Sequence, residues 1–424
     1  MTPKDSSEEA RASLSGRASE SVESRASWVV AFAALLVTSV AFGAPLVAVV
    51  GLKSVASDLG SARSAAALAY SFAWLGAAAG GIVMGPIAER LGVRWTVIGG
   101  AVMIGFGLLL SSQGAAWQLW VGHGVLIGLL GNAGINAPLY IYVSRWFDRR
   151  RGTALALISS GQYVAGVVWP LVFEQAIARW GWQRTMMGFA AVVVLVVVPL
   201  GAIFLKPLPR EEAWKGARVA TRDGVATVVG LRPALAFALL AFASFLCCVP
   251  MAMPQAHLVA LCGDLGIAPA SGAAMLSVAL AAAFLSRQIW GHISDRVGGL
   301  RTVLASSGIQ AFAMVAFLLT QNEAGLFAVS AFFGLGFSGV IPAYILALRE
   351  LFPASEAAWR IPTLLLCSGS GMAAGGWLAG VIYDQAGFYA PAFGAGIAFN
   401  LANLAIIGTL VLLDRGRRHR LAFA

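Results

Sequence analysis

Long apolar runs separated by short polar segments dominate this chain from Trp28 to Leu413. Each run is about twenty residues long, which is the length of helix that spans the hydrocarbon core of a bilayer. Because lipid offers no partner for backbone polar groups, such runs must form helices or the strands of a closed barrel. These runs are too long and too uniformly apolar for barrel strands. The pattern predicts an all-α membrane protein.

We count twelve such runs, in two groups of six, which predict two six-helix bundles. The predicted spans lie near 28–52, 67–88, 95–113, 117–141, 153–175, 185–205, 234–258, 269–292, 302–320, 324–348, 361–383 and 391–413. The predicted units are a disordered cytoplasmic tail (1–27), an N-terminal bundle (28–205), a cytoplasmic central loop (206–233), a C-terminal bundle (234–413) and a basic cytoplasmic tail (414–424).

An internal repeat relates the two groups of spans. Three short segments of the first half recur in the same order about 205 positions later: 85–92 with 291–298, 138–140 with 342–344, and 181–188 with 387–394. The repeat predicts two pseudo-symmetric bundles, and binding sites in proteins built this way lie near the membrane midplane between the halves.

Charge fixes the orientation of these spans. The chain is 59% hydrophobic and only 11% charged, against about 25% charged in soluble domains. Most of its 29 lysines and arginines fall on the side of the predicted bundle that carries both termini. The positive-inside rule then places both termini in the cytoplasm, so the net charge of +10 needs no nucleic-acid partner.

The sequence contains no pattern typical of an enzyme. The four cysteines lack the spacing of metal ligands or of a disulfide framework, and no nucleophile, base and acid stand in a catalytic arrangement. The central loop is too short to hold an ATPase domain. We therefore expect neither metal, cofactor nor enzymatic activity.

Arg287 is the first candidate for a functional residue, because it lies inside the eighth span. An arginine at the centre of a bilayer helix costs about 2.5–3.5 kcal/mol on the insertion scale, so it usually faces a cavity or a partner. Its counterpart in the first half is Gly81, so the repeated architecture does not require it. We interpret Arg287 as the cation that meets an anionic substrate. The alternatives are structural pairing and extension of its long side chain to the membrane surface.

Several other polar residues lie within the predicted spans. Asn132, Asn136 and Tyr140 follow one another at a spacing of four, so they can donate hydrogen bonds to a carboxylate or instead join helices. Tyr70 and Tyr344 are further candidates for lining the cavity.

His257 and Glu174 are candidates for proton coupling. The ordinary pKa of histidine lies near physiological pH. A structural histidine at the end of a helix, and a Glu174 that faces water or pairs with Arg179, are the alternatives.

The repeated segments resemble the GxxxDRxGxxR turns that follow the second and eighth helices of the major facilitator superfamily. The resemblance implies a cytoplasmic charge latch between helices that slide during alternating access, although solvated loop charge is the simpler alternative. Glu89 replaces the usual aspartate, and the second turn has one extra residue before its last arginine. The implied latch residues are Gly85, Glu89, Arg90, Arg94, Gly291, Asp295, Arg296 and Arg301.

Three segments, 143–156, 255–267 and 351–377, make the chain resemble more narrowly a bacterial branch related to monocarboxylate transporters and oxalate–formate antiporters. The resemblance implies that Arg287, four residues before Gly291, binds a substrate carboxylate. Two features of mammalian members are missing: the first span has no lysine before Lys53 at its end, and Ala283 stands where they have an aspartate. The usual route of proton coupling is therefore not implied.

The sequence thus predicts a monomeric secondary transporter of a small organic anion, with or without a coupled proton, in a bacterial plasma membrane. Monocarboxylates are the class that the resemblance implies, carried by symport or antiport. Two alternatives stay open: a transporter or exporter of a neutral or amphipathic compound in which Arg287 is structural, and a membrane sensor that binds a ligand without moving it.

Overall fold

The computed structural model describes residues 23–147, 150–205, 228–353 and 356–422. Most of the predicted N-terminal tail and of the predicted central loop lies outside these residues. The helices of the first half (the N-half) are α1 Arg25–Ala41, α2 Ala44–Val50, α3 Leu52–Asp58, α4 Arg63–Leu91, α5 Val93–Ser111, α6 Ala116–Val121, a π-helical segment Gly122–Asn132, α7 Ala133–Ser144, α8 Arg151–Ser159 and α9 Gly161–Phe204. Those of the second half (the C-half) are α10 Pro233–Asp264, α11 Pro269–Val297, α12 Gly299–Leu319, α13 Glu323–Phe337, α14 Val340–Leu351, α15 Ala357–Ala386 and α16 Ala390–Ala422.

The predicted number of spans is confirmed once one long helix is divided. Eleven helical stretches of the described chain are long and apolar enough to cross a bilayer, and one of them, Thr153–Phe204, has 52 residues. Within it Gly181 adopts φ 79° and ψ 164°, which is not helical and which a side chain would disfavour. The break divides α9 into two spans, so the described chain forms twelve.

The ends of the bundle extend beyond the predicted spans. The first helix begins at Arg25 because Ser24 caps it: the Ser24 side chain accepts the Ser27 N–H and the Ser27 side chain accepts the Ser24 N–H. The last helix continues to Ala422, through residues predicted as a separate tail, because leucine and arginine are good helix formers.

The hydrophobic core shows where the halves meet. We call the end of the bundle at which α1 begins and α15 begins the tail end, and the opposite end the far end. One cluster of buried side chains joins the N-half to the far-end part of the C-half. The tail-end part of the C-half has a separate cluster, which includes Leu300, Leu348 and Leu410. The halves therefore share a core at the far end and separate toward the tail end.

The contact between α4 and α15 is likewise close at the far end, and it ends near the middle of the bundle. A Cβ added at Gly380 would lie 2.7 Å from Ser64 Cα, and one at Gly376 would lie 2.7 Å from the Tyr70 ring. Farther along the same face of α4, a Cβ at Gly81 or Gly85 would have no described neighbour within 4 Å. The space between the halves is thus closed at the far end and open toward the tail end.

Two adjacent glycines of α5 test this packing. A Cβ at Gly100 would lie 2.8 Å from the Gly131 carbonyl oxygen, whereas one at Gly99 would meet nothing within 4 Å among the described residues. We expect Gly100→Ala to lower the free energy of unfolding by about 1–3 kcal/mol because the backbone must shift. Gly99→Ala, the matched control, should leave it unchanged or slightly raised. Thermal unfolding in detergent measures both, and equal effects would contradict the packing described here.

Candidate functional site

Arg287 lies on α11 at the seam between the halves. Its guanidinium carbon is 5.1 Å from the centre of the Tyr163 ring on α9, in the opposite half. Tyr163 in turn packs against Phe337. A cation over an aromatic face is attracted to it. The side chain therefore faces the other half of the molecule.

The same guanidinium is incompletely bonded. Arg287 Nη1 is buried and has no hydrogen-bond partner among the described residues. No described aspartate or glutamate forms an ion pair with it. Because a buried donor without a partner costs about 1–3 kcal/mol, and more for a charged group, the site favours an additional acceptor.

Tyr140 lies on the same side of the seam as Tyr163. It is half-buried and interacts with Arg287, Ser159 and Tyr163. Asn136 precedes it by one helical turn, about 6 Å along α7. Asn132 is buried, and its side-chain oxygen has no described hydrogen-bond partner. Of these three residues, Tyr140 is thus the one within electrostatic range of Arg287, and the two asparagines lie farther toward the far end.

The spacing of four that links these residues does not continue toward the start of the span. The segment Gly122–Asn132 is π-helical, so its hydrogen bonds join residues five apart and its faces are displaced from those of an α-helix. Gly124 packs against Phe72, and Gly128 against Ala73, both on α4. This part of the span serves helix packing.

The repeat shows that the site belongs to one seam only. Positions 206 residues from Arg287 and Tyr163 are Gly81 and Gly369, on α4 and α15. The α4–α15 seam therefore has glycines where the seam between α9 and α11 has a cation and an aromatic ring. The two halves have the same architecture, but at these two repeat-related positions only the α9–α11 seam has a cation and an aromatic ring.

Tyr344 and Tyr70, two predicted site residues, are not brought to Arg287. Tyr344 is fully buried in the C-half, where its hydroxyl donates to Asn403 Oδ1 at 2.6 Å. Tyr70 is buried in the α4–α15 contact, against Gly376. Neither tyrosine presents a surface to the space around Arg287 in this conformation.

The two predicted proton-coupling residues lie apart. His257, on α10, is buried; its Nδ1 is 2.9 Å from the Tyr389 hydroxyl and its Nε2 is 2.7 Å from the Gly376 carbonyl oxygen. Glu174, on α9, is half-buried and forms no ion pair with Arg179 in the described structure.

A cluster of charges at the far end was missed by sequence reasoning. Arg63 Nη2 donates to Asp264 Oδ1 at 2.6 Å, Nη1 donates to Asp264 Oδ2, and Lys53 Nζ lies 3.0 Å from the same carboxylate. Asp384 accepts the backbone N–H groups of Arg63 and Ser64, each at 2.9 Å. The sequence did contain a signal for this cluster. Lys53 and Arg63 follow the first span of the N-half, and Asp264 and Asp384 lie at the ends of two spans of the C-half.

The predicted latch turns are built alike. Gly92 and Gly298 both have φ 85°, and the hydroxyls of Thr96 and Thr302 bond back to their carbonyls. Between described residues, neither Glu89 nor Asp295 forms an ion pair. The role of these turns as a latch stays a prediction.

Nothing in the described chain suggests a metal centre. No group of three or more His, Cys, Asp or Glu side chains within it could hold an ion. The four cysteines are free, and Cys247, Cys248 and Cys262 are buried.

Comparison with known proteins shows the family to which this chain belongs. The model of the Major Facilitator Superfamily matches residues 27–258 and 240–423. Curated relatives include monocarboxylate transporter 13 of Bos taurus, 26% identical over 333 residues that cover 76% of this chain and 75% of the relative. MFS-type transporter 1 of Ophiocordyceps sp. is 22% identical over 283 residues, 64% of this chain and 60% of the relative's length. The fujikurins efflux protein of Gibberella fujikuroi is 31% identical over 139 residues, 31% of this chain and 29% of that protein.

Solved structures show the same architecture. A peptide transporter POT in complex with sulfate aligns with a TM-score of 0.71 at 15% identity, covering 91% of this chain and 95% of that one. A bacterial homologue of the human lysosomal transporter Spinster, inward-facing and occupied, aligns with a TM-score of 0.66 at 15% identity, covering 91% and 94%. At this identity the likeness concerns the fold.

The buried Tyr344–Asn403 pair yields a prediction that separates packing from ligand contact. Tyr344→Phe leaves the Asn403 oxygen without its donor, so we expect the free energy of unfolding to fall by about 1–3 kcal/mol. Thermal unfolding in detergent measures the loss. Unchanged stability together with weakened ligand binding would return Tyr344 to the candidate site.

Proposed function

Because the chain belongs to the Major Facilitator Superfamily, we propose that this membrane transporter moves a small organic anion, most simply a monocarboxylate, by alternating access. The observation that carries the proposal is the buried Nη1 of Arg287, which has no described partner, at the seam between the halves. A carboxylate there would accept two charge-assisted hydrogen bonds from the guanidinium.

The surroundings of Arg287 suit a small monoanion. Tyr163 and Phe337 supply an aromatic wall that can contact the apolar part of an organic acid. The Tyr140 hydroxyl and the amides of Asn136 and Asn132 are the donors we propose for the remaining carboxylate lone pairs or for a polar substituent. Tyr70 and Tyr344 are not part of the proposed site, because this conformation buries them elsewhere.

Transport of a neutral or amphipathic compound, with Arg287 purely structural, is the second candidate. The fujikurins efflux protein among the relatives is the observation that favours the exporter form of this candidate. Against it, a structural arginine usually has its N–H groups satisfied by the protein. A cationic substrate is disfavoured because Arg287 would repel it and no described acid forms an ion pair that neutralises this arginine.

The coupling and the membrane of residence belong to this proposal as well. We place the transporter in a plasma membrane with cytoplasmic termini, so the open tail end would face the cytoplasm. The relatives described above are fungal and mammalian, so the bacterial branch and the bacterial membrane stay predictions. His257 and Glu174 remain the proposed sites for a coupled proton, and antiport of two anions is the alternative mode.

Substitution of Arg287 tests the anion site. We expect Arg287→Ala to weaken uptake of the transported acid about tenfold to a hundredfold, since a hydrogen bond to a charged group is worth about 1.5–3 kcal/mol. Arg287→Lys should recover only part of the uptake, because it keeps the charge and loses the bidentate geometry. The measurement is uptake of a panel of radiolabelled small acids into proteoliposomes.

The matched control is Arg179→Ala, which removes an exposed arginine of α9 that lies about 24 Å along the helix from Tyr163. Its uptake should equal that of the unaltered protein. The anion site would be rejected if Arg287→Ala takes up every accumulated acid as fast as the unaltered protein does. Binding of an acid without any flux would favour the ligand sensor instead.

A further inference from the structure

The charged cluster at the far end joins the two halves through one continuous set of hydrogen bonds. We call this set the lock. Arg63 links its parts: the guanidinium binds Asp264 and donates to the Tyr389 hydroxyl at 3.0 Å, and it lies 3.8 Å from the centre of the Tyr383 ring. The lock comprises Lys53 and Arg63 of the N-half with His257, Asp264, Asp384 and Tyr389 of the C-half.

Charge is divided between the halves in the lock. The N-half contributes two cations and the amino end of α4, whereas the C-half contributes two carboxylates. Ala62, at the start of α4, supplies no side-chain cap, and Asp384 caps that helix from the other half. Separating the halves therefore removes both the ion pairs and the cap, which makes the lock a contact specific to the closed far end.

The direction of hydrogen bonding through the lock follows from the chemistry of its members. The Gly376 carbonyl can only accept, so His257 Nε2 carries a hydrogen. In the neutral imidazole Nδ1 must then accept, and its donor is the Tyr389 hydroxyl. The Tyr389 oxygen in turn accepts from Arg63 Nη1. Every member of this chain is satisfied when His257 is neutral.

A second proton on His257 is unfavourable in this chain. Nδ1–H would have to donate to the Tyr389 oxygen in addition to Arg63, and the Tyr389 hydrogen would lose the acceptor that it has in the neutral state. The imidazolium would also add a positive charge beside the buried part of Arg63. The charged and titratable groups that face His257 are Arg63, Asp384 and Tyr389, and Asp264 and Tyr383 face Tyr389 in turn.

The two acids among these groups offset the added charge only in part. Asp264 is already paired with Arg63 and Lys53, and Asp384, which attracts the imidazolium, is opposed by the nearer charge of Arg63 and is held by two backbone N–H groups of α4. When the halves part, the Tyr389 oxygen is released from Arg63 and water can reach the imidazole. The open far end should therefore bind a proton at His257 better than the closed far end does.

We propose that the lock is the far-end gate of the transport cycle and that protonation of His257 opens it. A proton that binds the open state better shifts the population toward that state. This inference rests on the transporter function proposed above, because a gate has a role only in alternating access, but its test needs no substrate.

The test measures distances between spin labels on the full-length protein in lipid nanodiscs, with the four native cysteines replaced by alanine. Ser57→Cys with Gln385→Cys, both exposed, reports on the far end. Leu91→Cys with His292→Cys, both exposed, reports on the tail end. Lowering the pH from about 8 to about 5, the range in which histidine titrates, should lengthen the far-end distance in roughly half or more of the molecules and shorten the tail-end distance.

Two variants make the result specific. His257→Gln can donate to Gly376 and accept from Tyr389 but cannot be charged, so its far-end distance should stay short at both pH values. Asp264→Asn, which breaks the ion pairs, should lengthen the distance at both. A pH response that persists in His257→Gln, or an unaltered distance in Asp264→Asn, would overturn the proposal. Because no acid is added, a failure here is distinct from a failure of the anion site at Arg287.

Discussion

The contact of α4 with α15 at the far end holds the two halves of this molecule together, and glycines of α15 make it close. Glycines at 376 and 380 let the helices approach until a single added carbon would overlap its neighbour. In a bilayer, lipid is as apolar as leucine, so close packing and polar contacts drive helix association rather than burial of apolar surface. A tight glycine seam flanked by ion pairs therefore suits a contact that must be both stable and separable.

The opposite seam is built for a different purpose, although the repeat gives it the same backbone. Where α4 and α15 have Gly81 and Gly369, α11 and α9 have Arg287 and Tyr163. One seam thus has small residues that allow the helices to approach closely, and the other has a cation and the ring that faces it. Because both seams lie between the halves, a ligand on Arg287 would contact both halves at once, as the midplane sites of repeat transporters do.

The features that were predicted from the sequence are those that a one-dimensional pattern determines. The twelve spans follow from lipid's inability to bond the backbone, and an intramembrane arginine stands out against any apolar run. The π-helical segment was not predicted, and it coincides with a close approach of Gly76 to Gly124 that only the folded chain shows. Tyr140 and Tyr344 occupy equivalent positions in the repeat, yet one faces Arg287 and the other is bonded to Asn403. The lock was not predicted because Arg63 is 201 residues from Asp264 and 321 residues from Asp384. Each of these residues alone is typical of a charged loop.

The incompletely bonded guanidinium of Arg287, between the two bundles, also constrains the proposed transport cycle. In this conformation the space beside Arg287 opens toward the tail end, where a Cβ added at Gly81 or Gly85 would meet no described atom within 4 Å. Closing that end would bring α4 and α15 together along this glycine face and remove water from the middle of the bundle. Burying an unpaired charge is strongly unfavourable, whereas a charge paired with a carboxylate in bidentate geometry is tolerated. On the proposed function, the tail end therefore closes more readily around an anion than around an empty site.

If His257 is charged only when the far end is open, closing the far end releases a proton, whereas closing the tail end is favoured by a bound anion. The anion acts on the tail end and the proton acts on the far end of the same molecule. Because the two ends open and close in alternation, movement of the anion can be coupled to movement of the proton although their sites share no side chain.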